Sequence, residues 1–132
     1  MAHAQVGAGS AYTIHDAHGD VLDGARTYKL HVEPDPPAKN VWAVDLYDTQ
    51  TRSLIQVDST IHPALASNSG TLHANADGSH DLYFGPEAPS GKEMNWVETT
   101  PGKSWFPLFR LYGPLQPWFD QTWRLSEFQP VA

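Results

Sequence analysis

The stretch NVWAVDLYD, residues Asn40–Asp48, decides the fold class of this 132-residue chain. Its apolar residues alternate, which places Trp42, Val44 and Leu46 on one face of an extended strand. The opposite face also carries bulky side chains, so both faces are suited to burial. Residues 105–112 repeat this pattern, with large apolar residues on each face. We therefore predict that these two segments are the core strands of a β domain.

The remaining segments are short and are separated by eleven Pro and ten Gly residues. Few windows reach the roughly 10 residues that a stable helix needs, whereas Asp77-Gly78 is a strong hairpin-turn signal. We expect further strands in these segments: Ala11–Ile14, Tyr28–Val32, Ser53–Val57, the two arms of a hairpin within Thr71–Phe84, Met94–Thr99 and Thr122–Phe128. At most one short helical turn is expected, at Leu115–Asp120. The pattern predicts an all-β protein, an antiparallel, jelly-roll-like β-sandwich of about eight short strands.

The domain organisation is expected to be simple. Residues 1–10 are small and polar and predict a flexible N-terminal segment, and residues 11–132 predict a single domain. No apolar run is long enough for a transmembrane helix, so we expect no membrane span. The first ten residues lack the basic and apolar regions of a signal peptide. The compartment stays open on these grounds.

Composition excludes several classes of function. The chain has 8 Lys and Arg against 15 Asp and Glu, a formal net charge of −7, and no Cys. The absence of Cys excludes disulfides, thiolate catalysis and cysteine-ligated zinc or iron–sulfur sites. Because no basic stripe is present to neutralise phosphates, we expect no nucleic-acid partner.

Seven histidines raise the possibility of a divalent metal. If Asp77-Gly78 closes a two-residue turn, His73 lies diagonally from His80 on one sheet face, within reach of a shared ion. His15 and His18 form an H-x-x-H pattern, but in a turn. A zinc or copper site needs three or four converging ligands, and a bulged loop would separate His73 from His80. We therefore favour solvated turn histidines and no cofactor, with a divalent metal at His73 and His80 as the alternative.

Aromatic residues concentrate in the C-terminal third, where four of the five tryptophans lie. Such side chains dominate both protein cores and sugar-stacking platforms. We take Asn95, Trp96, Arg110 and Tyr112 as candidate ligand contacts. The alternative for the aromatic residues is core packing, for Asn95 a loop-fixing amide, and for Arg110 a buried ion pair.

Several longer motifs resemble the sequences of one bacterial domain family. They are YDTQTRS (Tyr47–Ser53), NADGSHDLYFGPEAP (Asn75–Pro89), NWVETTPGKSWFPLFRLYGP (Asn95–Pro114) and TWRL (Thr122–Leu125). In this order they resemble domain-of-unknown-function family 1214, and the resemblance extends from about Tyr12 to Val131. It implies a jelly-roll-like β-sandwich that usually follows a family-1254 module in a longer, often exported or periplasmic chain. The resemblance provides no catalytic residues that could be assigned to positions of this sequence.

Three functions are open at this point. The leading hypothesis is a binding module without catalysis, for a small molecule, a glycan or a partner domain. The second is a metal-dependent oxidase or hydrolase that uses the histidines. The third is a structural module that forms a homodimer or meets a family-1254 partner, because unmanaged apolar patches and sheet edges associate.

Overall fold

A computed structural model describes residues 5–6, 10–34, 36–49, 64–67, 72–115, 118, 123 and 126–131. This part of the chain is nearly all β structure. Its strands are β1 (Gln5–Val6), β2 (Ser10–Tyr12), β3 (Tyr28–Val32), β4 (Ala38–Asp48), β5 (Ala64–Ala66), β6 (His80–Gly85), β7 (Trp96–Glu98), β8 (Trp105–Pro114) and β9 (Gln129–Pro130). A short 3-10 helix, Glu93–Asn95, immediately precedes β7.

The strands form two sheets. One has five strands in the order β1-β2-β8-β4-β5, and the other has four in the order β7-β6-β3-β9. The long strands β4 and β8 pair antiparallel at the centre of the first sheet, from Val41 opposite Tyr112 to Asp48 opposite Trp105. One pair departs from the antiparallel pattern that we expect, because β6 and β7 run parallel.

The core lies between the two sheets. Trp42, Val44 and Leu46 of β4 are at most 5% exposed, and Leu82 and Phe84 of β6 are fully buried. Rings also meet across the two layers: Trp105 of β8 stacks on Phe84 at 5.5 Å and meets Tyr28 of β3 edge-on at 5.8 Å between ring centroids. Alternating residues of both sheets thus bury their apolar surface against each other, which confirms the predicted all-β sandwich.

The central strands agree with the sequence analysis. Strand β3 has the predicted bounds, and β4 and β8 contain the two predicted core segments. Strand β2 is Ser10–Tyr12 instead of Ala11–Ile14. Gln5–Val6, inside the segment that we expect to be flexible, pairs with Ala11 and Tyr12. The predicted strand Ser53–Val57 lies outside the described residues.

Three predicted elements need correction. The Asp77-Gly78 turn exists, but the described residues 72–79 contain no strand, and β6 pairs with β3 and β7 instead of forming a local hairpin. The predicted strand Met94–Thr99 starts as the 3-10 helix and becomes extended only at Trp96. The described residues of the predicted strand Thr122–Phe128, namely 123 and 126–128, belong to no strand. The last strand instead follows at Gln129–Pro130.

Helical structure is minor throughout the described ranges. The amide of Trp118 donates to the carbonyl of Leu115 at 3.0 Å, as expected for a turn in this segment. The other residues of Leu115–Asp120 lie outside the described residues. No helix in the described ranges is long and apolar enough to cross a membrane. Jelly-roll connectivity stays a prediction.

Candidate functional site

A cavity of about 200 Å³ opens on the outer face of the four-stranded sheet. Strand alternation explains its floor: Leu82 and Phe84 of β6 enter the core, so Asp81 and Tyr83 point the other way. The walls come from the segment before the Asp77-Gly78 turn and from the loop that leads into β7. The lining residues are His73, Ala74, Asn75, Asp81, Tyr83, Gly91, Lys92, Met94 and Asn95.

Asn95 joins the two walls and the floor of the pocket. Its Oδ1 accepts a hydrogen bond from the amide of His73 at 2.8 Å, and its Nδ2 donates to the carbonyls of His73 at 2.8 Å and Asp81 at 3.0 Å. Asn95 as a whole is 8% exposed, and the three bonds use all but one of the hydrogen-bonding sites of its side-chain amide. The sequence leaves two roles open for Asn95, a ligand contact and a loop-fixing amide. This geometry matches the loop-fixing amide.

Asp81 is the charged group on the floor of the pocket. Its Oδ1 lies 2.6 Å from Nδ1 of His31 and 3.9 Å from Nζ of Lys29, and its Oδ2 accepts from Nδ2 of Asn75 at 3.2 Å. Burial alone would raise the pKa of the Asp81 carboxyl. The hydrogen bonds from His31 and Asn75, helped by the Lys29 charge, nevertheless bring that pKa below its usual value. Asp81 is therefore ionised and compensated by its neighbours.

The Asp77-Gly78 turn positions Asn75. Gly78 has φ +88°, in the left-handed region that favours glycine. The amide of Asn75 donates to the carbonyl of Ser79 at 2.7 Å, and its Nδ2 donates to Oγ of Ser79 at 3.0 Å. The Ser79 hydroxyl and amide in turn donate to Asp77, and these hydrogen bonds lower the pKa of the Asp77 carboxyl. The turn thus fixes the Asn75 amide at the edge of the cavity.

The remaining predicted ligand contacts do not join this pocket as a group. Trp96 lies on β7 beside Tyr83, half-buried, and its Nε1 donates to the carbonyl of Gly85 at 3.0 Å. Arg110 and Tyr112 lie on the other sheet, in β8. Two of the four candidates are therefore near the cavity, but only Asn95 lines it.

Arg110 belongs to a polar and aromatic cluster on the outer face of the five-stranded sheet. Its Nη2 donates to the Tyr47 hydroxyl at 3.1 Å, and its Nε lies 3.6 Å from Oδ2 of Asp45. A hydrogen bond with Tyr112, followed by the charges of Tyr47 and Asp45, raises the pKa of the guanidinium. Arg110 is thus paired with a carboxylate, as the ion-pair alternative expects, but its side chain is 39% exposed and not buried.

The predicted histidine pair is not brought together. His73 is exposed and lines the outer cavity, whereas the ring of His80 meets Trp42 of the opposite sheet edge-on at 5.2 Å. The missing hairpin removes the register on which the pairing depended. His15 bridges to Val21 and His18 is exposed in the same turn. Nowhere in the described ranges do three His, Asp or Glu side chains converge as metal ligands would.

The sequence analysis proposed His73 and Asn95 as site residues and missed the other seven lining residues, Ala74, Asn75, Asp81, Tyr83, Gly91, Lys92 and Met94. The signal for Asp81 and Tyr83 was available, because alternation in HDLYFG places them on the face opposite the buried Leu82 and Phe84. Lys92 and Met94 follow a turn at Gly91, which has φ +77°. Only the folded chain shows that this loop returns to cover β6.

Two solved structures share this fold. The VPA0106 protein from Vibrio parahaemolyticus is 21% identical with a TM-score of 0.79, and the match covers 94% of this chain and 30% of that one. An uncharacterised protein from Burkholderia cenocepacia is 13% identical with a TM-score of 0.54, and the match covers 92% of this chain and 28% of that one. This chain thus spans less than a third of the length of either protein. No curated protein matches its sequence significantly.

The sequence of residues 7–116 matches the family described as "Protein of unknown function (DUF1214)". That range contains the core strands β3, β4 and β8, the Asp77-Gly78 turn and every residue that lines the pocket. The family resemblance seen in the sequence motifs is therefore confirmed, and the chain belongs to the DUF1214 family.

Proposed function

We propose that this domain is a binding module that holds one small polar molecule in the pocket on the outer face of the four-stranded sheet. The observation that carries the proposal is the Asn95 side chain, whose three hydrogen bonds hold the His73 segment against β6 and so keep the cavity open without a ligand. Preformed concave sites with a few converging polar groups are typical of small-molecule binding.

The size and lining of the cavity limit the ligand. Its volume of about 200 Å³ is below the roughly 300–1,000 Å³ of sites for drug-sized ligands, which favours a molecule about the size of one sugar unit. The Asn75 amide, the Asp81 carboxylate and the Tyr83 phenol can donate to or accept from hydroxyl groups. A small hydroxylated molecule, free or as one unit of a glycan, fits these groups.

The test is a titration of the whole chain with a panel of monosaccharides, sugar acids, amino sugars and sugar alcohols, followed by calorimetry and ligand-observed NMR. Ala74 lines the cavity and is exposed, so Ala74→Trp should fill the pocket and weaken binding at least about tenfold. Ala76→Trp is the matched control, because Ala76 is exposed in the same segment and is not part of the lining. No binding anywhere in the panel, or binding that survives Ala74→Trp, contradicts the proposal.

A second candidate function is docking of a family-1254 module on the outer face of the five-stranded sheet. That face carries an aromatic row in which Phe106 stacks on Tyr47 at 5.4 Å and meets Tyr12 at 6.0 Å. Tyr12 is 40% and Tyr112 46% exposed. The matched relatives are more than three times as long as this domain, so the same sandwich there shares its chain with further polypeptide.

A separately expressed family-1254 module tests this docking by size-exclusion chromatography with light scattering. We expect a one-to-one complex that Tyr112→Ala weakens by about tenfold or more. Val131→Ala should leave the complex intact, because Val131, which is also exposed, lies beside the other sheet. A homodimer of this chain that excludes the module, or the absence of a complex, contradicts the second candidate.

A further inference from the structure

We infer that the ligand of the pocket is a small sugar acid, a hydroxylated molecule that carries one carboxylate. This inference rests on the proposed function and adds the chemical class of the ligand. It follows from the balance of charges around the cavity, from the polar atoms that the protein leaves available there, and from the number of cations that line it.

The negative charge on the floor of the pocket is already compensated. His31 and Asn75 engage both oxygens of Asp81, and the Lys29 ammonium lies 3.9 Å away. Lys92 on the wall is exposed, and no described carboxylate lies within ion-pair distance of its ammonium. The charge that the pocket offers to a ligand is therefore positive, which favours an anion.

The other lining groups match hydroxyls. Both hydrogen bonds from the Asn75 side chain use Nδ2, so its Oδ1 can accept from a ligand. Asp81 has acceptor sites beyond its present bonds, because an ionised carboxylate has about four lone-pair sites. Tyr83 adds a phenol, and the half-exposed Met94 adds an apolar surface for the C–H face of a ring. A simple carboxylate without hydroxyls would leave most of these groups unused.

The number of cations separates a carboxylate from a phosphate. A phosphate monoester carries about −1.5 to −2 charge near pH 7, whereas a carboxylate carries a single negative charge. Among the residues that the structure describes, the lining contains one lysine and no arginine, and its most buried amide, Asn95, already bonds to the backbone. One ammonium is suited to one negative charge, so a sugar acid fits better than a sugar phosphate.

The experiment compares glucuronate, glucose, glucosamine and glucose 6-phosphate by calorimetric titration at low ionic strength. We expect glucuronate to bind about tenfold or more tightly than glucose, and this preference should shrink as salt is added. Lys92→Gln should abolish the preference for glucuronate over glucose, and Lys92→Arg should retain it. Lys103→Gln, at an exposed lysine outside the lining, should behave as the wild type.

The outcomes separate this inference from the proposed function. Equal binding of glucose and glucuronate, a stronger preference for the phosphate, or a preference that survives Lys92→Gln overturns the sugar-acid assignment. In each of these cases binding that is lost in Ala74→Trp still supports the pocket. If no compound binds in a manner sensitive to Ala74→Trp, both the inference and the proposed function fail.

Discussion

Replacement of Asn95 by alanine should destabilise the whole domain, because Asn95 connects the pocket wall to β6. The change removes three hydrogen bonds, two to His73 and one to the Asp81 carbonyl, at a residue that is 8% exposed. At about 1 kcal/mol each the loss is roughly 3 kcal/mol. Water can reach the exposed His73 segment and replace part of the lost hydrogen bonding. We therefore expect the free energy of unfolding to fall by about 2–3 kcal/mol.

Urea unfolding measures this loss as a shift of the midpoint at unchanged slope. The melting temperature should fall by roughly 6–15 °C, from about 3–5 °C per kcal/mol for a domain of this size. Asn75→Ala is the control: Asn75 is exposed, and its two side-chain bonds go to Ser79 and Asp81, so its loss should stay below about 1 kcal/mol.

Asn95→Asp provides a sharper version of the same test. An ionised carboxylate at this position would face the carbonyl oxygens of His73 and Asp81 without a proton to donate, so its folded-state pKa should rise above the unfolded value. Relative to wild type at each pH, the variant should regain stability as the pH falls and lose it as the pH rises. A free energy of unfolding for Asn95→Ala within about 0.5 kcal/mol of wild type would refute the role of Asn95 in holding the His73 segment against β6.

Two further predictions concern the core and a close backbone contact. The ring of His80 packs on Trp42 with its Nδ1 buried and without a hydrogen-bond partner, and burial lowers the pKa of this histidine. The unfolded chain therefore binds more protons at this residue than the folded chain does. The free energy of unfolding should thus drop as the pH falls below about 6.5. His80→Gln should flatten this slope between about pH 7.5 and 5.5, and an unchanged slope contradicts it. A Cβ at Gly24 would lie 1.9 Å from the Thr100 carbonyl oxygen, so Gly24→Ala should cost several kcal/mol by urea unfolding. Gly102→Ala meets open space and should cost only about 1–2 kcal/mol for its φ of +87°, and equal costs would refute the steric argument.

The sequence predicts the sandwich and its central strands because that information is local. Alternating apolar residues in Tyr28–Val32 and Asn40–Asp48 can bury themselves only as strands, and the structure has strands there. The Asp77-Gly78 turn is also local, since glycine permits the positive φ that the turn needs. Composition and motifs likewise suffice to identify the family, which the match over residues 7–116 confirms.

Only the tertiary structure decides which segments meet, because pairing depends on residues far apart in the chain. Alternation cannot show that β6 pairs with β3 and with a parallel β7 instead of with the segment just before it. That choice separates His73 from His80 and uses Asn95 to hold the unpaired segment. The tertiary structure also places Arg110 on a different sheet from Trp96. The pocket therefore depends on contacts between residues far apart in the chain, which no short stretch of sequence can predict.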